Sequence, residues 1–254
     1  MMLAKRIIPT LLRDGDRLVK GEKFNGWRSV GHARQAVRIM AQRGVDEMVL
    51  LDITATAQNR RPDPAKIREY ADECFMPLTV GGGIRSIEDV KTCLNAGADK
   101  VLIGAAGIPA IKAVAQMYGS QAVSAAIDYF FWEDHEDIQL VRYIMEGGQS
   151  FVRNDGPVDY AKKLATAGAG EIILTSIDRE GTMTGYDLET IKAVSEAVDI
   201  PVIAHGGCSG YEDMLNAIKA GASAVAAGAL FQFTDCTPRG AALYLAEHGI
   251  EVRL

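Results

Sequence analysis

A single closed (β/α)8 barrel is the fold this 254-residue sequence predicts, and three observations lead to it. Short apolar runs alternate with amphipathic stretches along the whole length. The runs are apolar on both faces, as parallel strands covered by helices are. The chain also resembles itself at an offset of 124 residues, which pairs Gly82 with Gly206.

The strand-like runs are Arg6–Leu12, Glu47–Ile53, Leu78–Val80, Lys100–Ile103, Ala122–Asp128, Glu171–Ser176, Val202–Ala204 and Ala224–Ala227. Each leads through a turn into a helical pattern, such as Ala33–Arg43, Ile87–Ala96 or Tyr211–Ala220. Eight βα units can lie open or close on themselves, and the repeat favours closure. Between residues 67–105 and 191–229 the register needs no gap, and 12 of 39 positions are identical. Pro77/Pro201, Gly83/Gly207, Glu88/Glu212, Asp89/Asp213 and Gly104/Gly228 are among them, and the same offset pairs Glu47 with Glu171. Two four-unit halves related by a pseudo-twofold axis would close into a barrel. Shared βα composition is the blander explanation, but a gapless register over Gly, Pro and acidic positions speaks against it. Residues 1–254 then form one domain of ordinary barrel size. One stretch, 129–154, breaks the rhythm with aromatic and alternating segments. It predicts a hairpin inserted over the barrel top, either as a lid or partner contact or as a decorative insertion.

Composition bounds the function. A hydrophobic content of 48% suits one buried core, and a net charge of −6 gives no electrostatic footprint for nucleic acid or an anionic membrane. Any phosphate must be held by local groups. Cys74, Cys93, Cys208 and Cys236 form no CxxC pair and point to a reducing compartment. With no long apolar run, a cytoplasmic location is expected. No metal or cofactor is expected.

Barrels carry their sites on the loops after the strands, and phosphates often sit after the seventh and eighth. Here those loops hold Gly206-Gly207 and Gly228-Ala229, and the first half offers Gly82-Gly83 and Gly104-Ala105. Glycine lets backbone N–H groups approach phosphate oxygens, although each pair alone is also what a tight turn needs. Together they predict two phosphate sites facing across one mouth. Asp52, Asp128 and Asp178 end strands at the same end, placed for acid–base work or for capping. Asp128 has no helix start immediately after it, which favours the functional role. At the opposite end Arg6, Glu47, Lys100 and Glu171 begin strands with mixed signs. They are solvated flanks if taken singly and a ring of ion pairs if taken together.

Several segments carry a family resemblance: Ala-Lys-Arg-Ile-Ile from Ala4, Asp-Glu-Met-Val-Leu-Leu-Asp-Ile-Thr from Asp46, Thr-Val-Gly-Gly-Gly-Ile from Thr79, and Thr-Ser-Ile-Asp-Arg-Glu-Gly-Thr from Thr175. They resemble the cyclase subunit of imidazole-glycerol-phosphate synthase, from Ala4 nearly to the C-terminus. The resemblance implies a glutaminase subunit docked on the barrel bottom, with ammonia passing through the barrel to a phosphorylated ligand at the top. It implies that Arg6, Glu47, Lys100 and Glu171 gate the channel, that Asp99 lies at the partner interface, and that Lys20 sits on a mobile loop folding over substrate. Asp128 matches one of the family's two catalytic aspartates. The other position holds Leu12, which cannot transfer a proton, and Gly104-Ala105 replaces an Asn-Thr that helps hold a phosphate. Pro-Thr-Leu-Leu (Pro9–Leu12) and Glu73–Pro77 instead resemble the glycosyl-amidation paralogues. Those supply ammonia to a separate sugar-amidating enzyme in surface-polysaccharide or flagellin-sugar synthesis. An ammonia-conducting subunit of such a system is therefore expected. The histidine-pathway cyclase and a non-catalytic activator of a glutaminase are the alternatives.

Overall fold

The computed structural model describes residues 4–104, 106–132, 135–144, 149–153 and 155–254, with backbone alone at 132, 135–140 and 142–144. β1 (Arg6–Asp14) turns back into a hairpin of β2 (Arg17–Glu22) and β3 (Asn25–His32), which leads to α1 (Ala33–Gln42). Then β4 (Met48–Asp52), α2 (Pro64–Ala71), β5 (Leu78–Gly81), α3 (Ile87–Asn95), β6 (Lys100–Ile103) and α4 (Gly107–Tyr118) alternate. β7 (Val123–Trp132) is followed by β8 (His135–Ile144), β9 (Ser150–Val152) and α5 (Pro157–Ala167). The alternation resumes with β10 (Glu171–Ser176), α6 (Leu188–Ala197), β11 (Val202–His205), α7 (Tyr211–Lys219), β12 (Ala224–Ala227), α8 (Ala229–Phe233) and α9 (Pro238–Glu247).

Strands β1, β4, β5, β6, β7, β10, β11 and β12 pair in parallel around a full circle. β1 sits beside β12, with Arg6 opposite Ala224, and β7 beside β10, with Asp128 opposite Thr175. The predicted barrel is present. Its strands follow the apolar runs of the sequence to within a few residues. Helix starts carry the caps the sequence supplies: Asp63 accepts from Ala65 and Lys66 N–H at α2, and Ser86 and Asp89 form a reciprocal capping box at α3. Inside the circle a small apolar stack fills the axis: Ile8, Val49, Leu102, Ile173, Ile203, Ala224 and Ala226. The larger core lies between strands and helices.

The glycines paired across the repeat share their geometry. Gly82 (φ 104°) would bring a β-carbon 2.2 Å from Asp52 O, and Gly206 (φ 92°) would bring one 2.6 Å from Ser176 O. Gly97 and Gly221 meet Ala71 and Ser195, again residues at the same offset. Gly82→Ala should therefore cost about 2–3 kcal/mol from backbone strain and overlap. Gly15→Ala, whose φ is 59° with open space around it, should cost only about 1 kcal/mol. Urea unfolding of both variants checks this, and equal costs would show that close approach is not the constraint.

Two antiparallel extensions stand on the barrel. β8 pairs with the end of β7 and β9 with β8. Residues 133–134, 145–148 and 154 of the predicted insertion lie outside the described residues. Where the resemblance implied a loop around Lys20, the structure has the β2–β3 hairpin, with Lys20 in β2. Its tip, Lys23-Phe24, takes the left-handed conformation at both residues (φ 52° and 58°). Such turns favour Asn-Gly at the tip; here Asn25-Gly26 follows the Lys23-Phe24 tip directly, a turn signal one step away from the turn itself.

Candidate functional site at the strand ends

Because side chains alternate along a strand, Glu47, Lys100 and Glu171 point the same way as Val49, Leu102 and Ile173 two residues on, toward the barrel axis. There the four charged side chains close into a ring. Arg6 meets Glu47 at 2.6 Å and Glu171 at 2.9 Å, and Lys100 meets each of the same carboxylates at 2.9 Å. Signs alternate around it, so the ring is neutral as a whole. Thr79 Oγ1 donates to Glu47 and Ser124 Oγ to Glu171, which satisfies the carboxylates further. Burial works against ionisation of Glu171, but Arg6 and Lys100 outweigh it and hold its carboxyl below the usual range. Asp99 is exposed beside this floor, and its carboxylate accepts from Leu78 N–H at 2.8 Å.

Above the floor lies the apolar stack, and above that a cavity of about 240 Å³ opens among the carboxyl ends of the strands. Leu12 and Asp128 both line it, as do Gly82, Gly83 and Gly104. Leu12 is buried and Asp128 half-buried. Phe24 and Trp27 of the β2–β3 hairpin add aromatic wall, and Arg153 and Tyr160 close another side with the guanidinium 4.3 Å from the ring centre. Ala105 lies outside the described residues.

Asp52 and Asp178 are both held by neighbouring groups. Leu51 points inward, so its neighbour Asp52 points outward, where Arg13 meets it at 2.8 Å and Arg60 at 3.0 Å. Thr54 and Ala55 N–H groups bind the same carboxylate. Burial alone would raise its pKa; the Arg60 hydrogen bonds and the charges of Arg13 and Arg60 bring it below the usual value. Asp52 thus fixes the loop after β4. Asp178 accepts from Phe131 N–H at 2.8 Å, tying the loop after β10 to β7.

Gly206, Gly207, Gly228 and Ala229 line one hollow together, of only about 10 Å³, shared with Glu180 and His205. Lys20 Nζ lies 2.9 Å from where a β-carbon on Gly228 would stand, and it is ion-paired with Glu180. Both partners are buried. His205 Nδ1 is 3.1 Å from Thr175 Oγ1, and burial, reinforced by the Lys20 charge, pushes the imidazole down to about 3. It is therefore neutral at physiological pH. Glu180 and His205 were missed from sequence. Each sits beside a residue that drew notice, in Ile-Asp-Arg-Glu-Gly and Ala-His-Gly-Gly, but partner Lys20 lies 160 positions from Glu180.

A charged floor, an apolar axis and a polar-and-glycine mouth at the carboxyl ends define a (β/α)8 barrel of the enzyme type, with its site where such barrels place it. The chain belongs to the histidine biosynthesis protein family, whose model matches residues 6–237. Members of that family are isomerases and cyclases of histidine biosynthesis. Among the described residues no helix is long and apolar enough to cross a membrane, and no group of three or more His, Cys, Asp or Glu could hold a metal ion.

Proposed function

We propose that this chain is the ammonia-conducting, synthase-type subunit of a glutamine amidotransferase. A glutaminase subunit docks on the ring face, and the nitrogen goes to a sugar-amidating enzyme acting on a nucleotide-activated sugar. The observation that carries the reading is the closed ring of Arg6, Glu47, Lys100 and Glu171 across the axis. Buried ion pairs give little net stability over apolar residues, so four charges at the end of an apolar axis are better explained by passage than by packing. Neutral ammonia is small and crosses an apolar stack more readily than an ion does. Asp99, exposed beside the ring, is the residue we assign to the partner contact; Asp99→Asn keeps an acceptor for Leu78 N–H while removing the charge. The mouth holds a phosphorylated small molecule, with Gly82, Gly83 and Gly104 as one cradle and Gly206, Gly207, Gly228 and Ala229 as the other.

Family membership and Asp128 favour a second reading, the cyclase of histidine biosynthesis, and Leu12 opposes it. Lys100→Ala separates conduction from docking. Glutamine hydrolysis by the docked glutaminase should continue while less of its nitrogen reaches the acceptor. Undiminished transfer through Lys100→Ala would remove the gate.

A further inference from the structure

We infer that Arg153, at the end of the β8–β9 extension, is the cation that holds a phosphate of the mouth's ligand on the Gly104 side. This rests on the reading of the mouth as a phosphate-ligand site and is independent of the ammonia route.

The large cavity is poor in positive charge. Asp52, Asp128 and Glu180 line it, and among the described residues Arg153 is the one lysine or arginine that does. His205 also lines it and is neutral, because burial, reinforced by the Lys20 charge, holds its imidazole down at about 3. Arg13, Arg60 and Lys20 stand nearby, but the first two are paired with Asp52 and the third with Glu180. A phosphate entering among carboxylates in a partly enclosed mouth needs a cation within reach, since like charges repel more strongly there than in bulk water. On the Gly228 side the Lys20 ammonium lies 2.9 Å from where a β-carbon on that glycine would stand. The Gly104 side has Arg153.

The chain builds Arg153 into place. β9 is paired with β8, and Arg153 N–H donates to Val141 O at 2.9 Å. Its guanidinium lies 4.3 Å from the centre of the ring of Tyr160, which is buried in α5. The Tyr160 hydroxyl is 3.9 Å from where a β-carbon on Gly107 would stand, and Gly107 N–H donates to Gly104 O at 3.0 Å. The guanidinium thus borders the loop after β6, where the Gly104 cradle sits. Its charge is only partly spent. Asp155 meets it at 3.2 Å, but Lys163 meets the same carboxylate oxygen at 2.8 Å, so one anion serves two cations. Arg153 Nε is buried with no hydrogen-bond partner among the described residues, so no second acceptor holds it there. A planar guanidinium resting on a ring keeps its outer N–H groups in a fixed fork, which suits two oxygens of one phosphate.

Calorimetric titration of the intact chain with ribulose 1,5-bisphosphate, which carries a phosphate at each end, tests this. Arg153→Gln, folded by circular dichroism, should bind it about tenfold or more weakly, the weight of a charge-assisted contact that water partly reaches. Arg153→Lys keeps the charge without the fork and should fall between, about threefold below the unmodified chain. Affinity in Arg153→Gln within about twofold of the unmodified chain would overturn the inference. So would a lysine variant as weak as the glutamine one, since Arg153 would then act by packing and not by charge. Should Arg153→Gln not fold, Arg153→Lys decides, and unchanged affinity in it overturns the inference. If the unmodified chain binds no bisphosphate, the phosphate-ligand reading falls and this inference with it. Binding that ignores Arg153 removes the inference alone.

Discussion

Incubated with the bisphosphorylated ribulosyl-amino substrate of the cyclase and excess ammonium salt, the purified chain is expected to close no imidazole ring at a measurable rate. Ring closure of that kind moves protons between two carboxylates flanking the ligand, and a positioned acid or base contributes about 10²–10⁴ in rate. Leu12 occupies one flank of the cavity that Asp128 shares. At the mouth Asp52 is ion-paired with Arg13 and Arg60, and Glu180 with Lys20. Leu12→Asp alone should recover little, because Gly104-Ala105 still lacks the Asn-Thr side chains that the resemblance assigns to holding a phosphate. Chromatographic detection of the imidazole product settles the point. Saturable turnover of order one per second, ordinary for an enzyme, would make the cyclase the leading reading.

Glu171→Ala should be the most destabilising change in the ring, at about 3 kcal/mol. Glu171 is 5% exposed and neutralises both cations, so its loss leaves Arg6 and Lys100 sharing Glu47. The figure sits at the low end for a broken buried pair because water still reaches Arg6 and Lys100, whose side chains are 24% and 19% exposed. The effect carries a pH signature. A carboxyl whose folded pKa lies below its unfolded value of 4.5 stabilises the fold fully above that value. The contribution is lost as pH falls through the lower folded value. Urea unfolding should thus show the gap between unmodified chain and Glu171→Gln at pH 7 and its progressive closure below about pH 4.5. A gap that is absent at pH 7, or constant into acid, would show that the ring contributes nothing through this charge.

The barrel was legible because each strand of a covered parallel sheet is apolar on both faces, and because the repeat ties Gly82 to Gly206 and Glu47 to Glu171. The floor was legible for a related reason: a charge at a strand start, in phase with an interior residue two positions on, has one direction to point. The same parity rule, applied to Leu51 and Asp52, would have turned Asp52 outward, toward Arg13 and Arg60. The Lys20–Glu180 pair was out of reach. Asn25-Gly26 beside the Lys23-Phe24 tip marks a turn, but an ion pair across 160 positions leaves no mark on local pattern. Gly82 and Gly206, and Gly83 and Gly207, match in sequence and all take positive φ, yet one set lines the large cavity and the other a small hollow, a difference that appears only in three dimensions.

Ammonia conduction is tested most directly by isotope. The chain is assembled with its glutaminase subunit, the sugar-amidating enzyme and the nucleotide-activated sugar. Glutamine labelled with 15N in its amide is then supplied alongside excess unlabelled ammonium. The amidated sugar is expected to carry 15N well above the labelled fraction of free ammonia, and to lose that enrichment with Lys100→Ala. Product labelled at the level of the bulk pool, the same with and without this chain, would contradict the account.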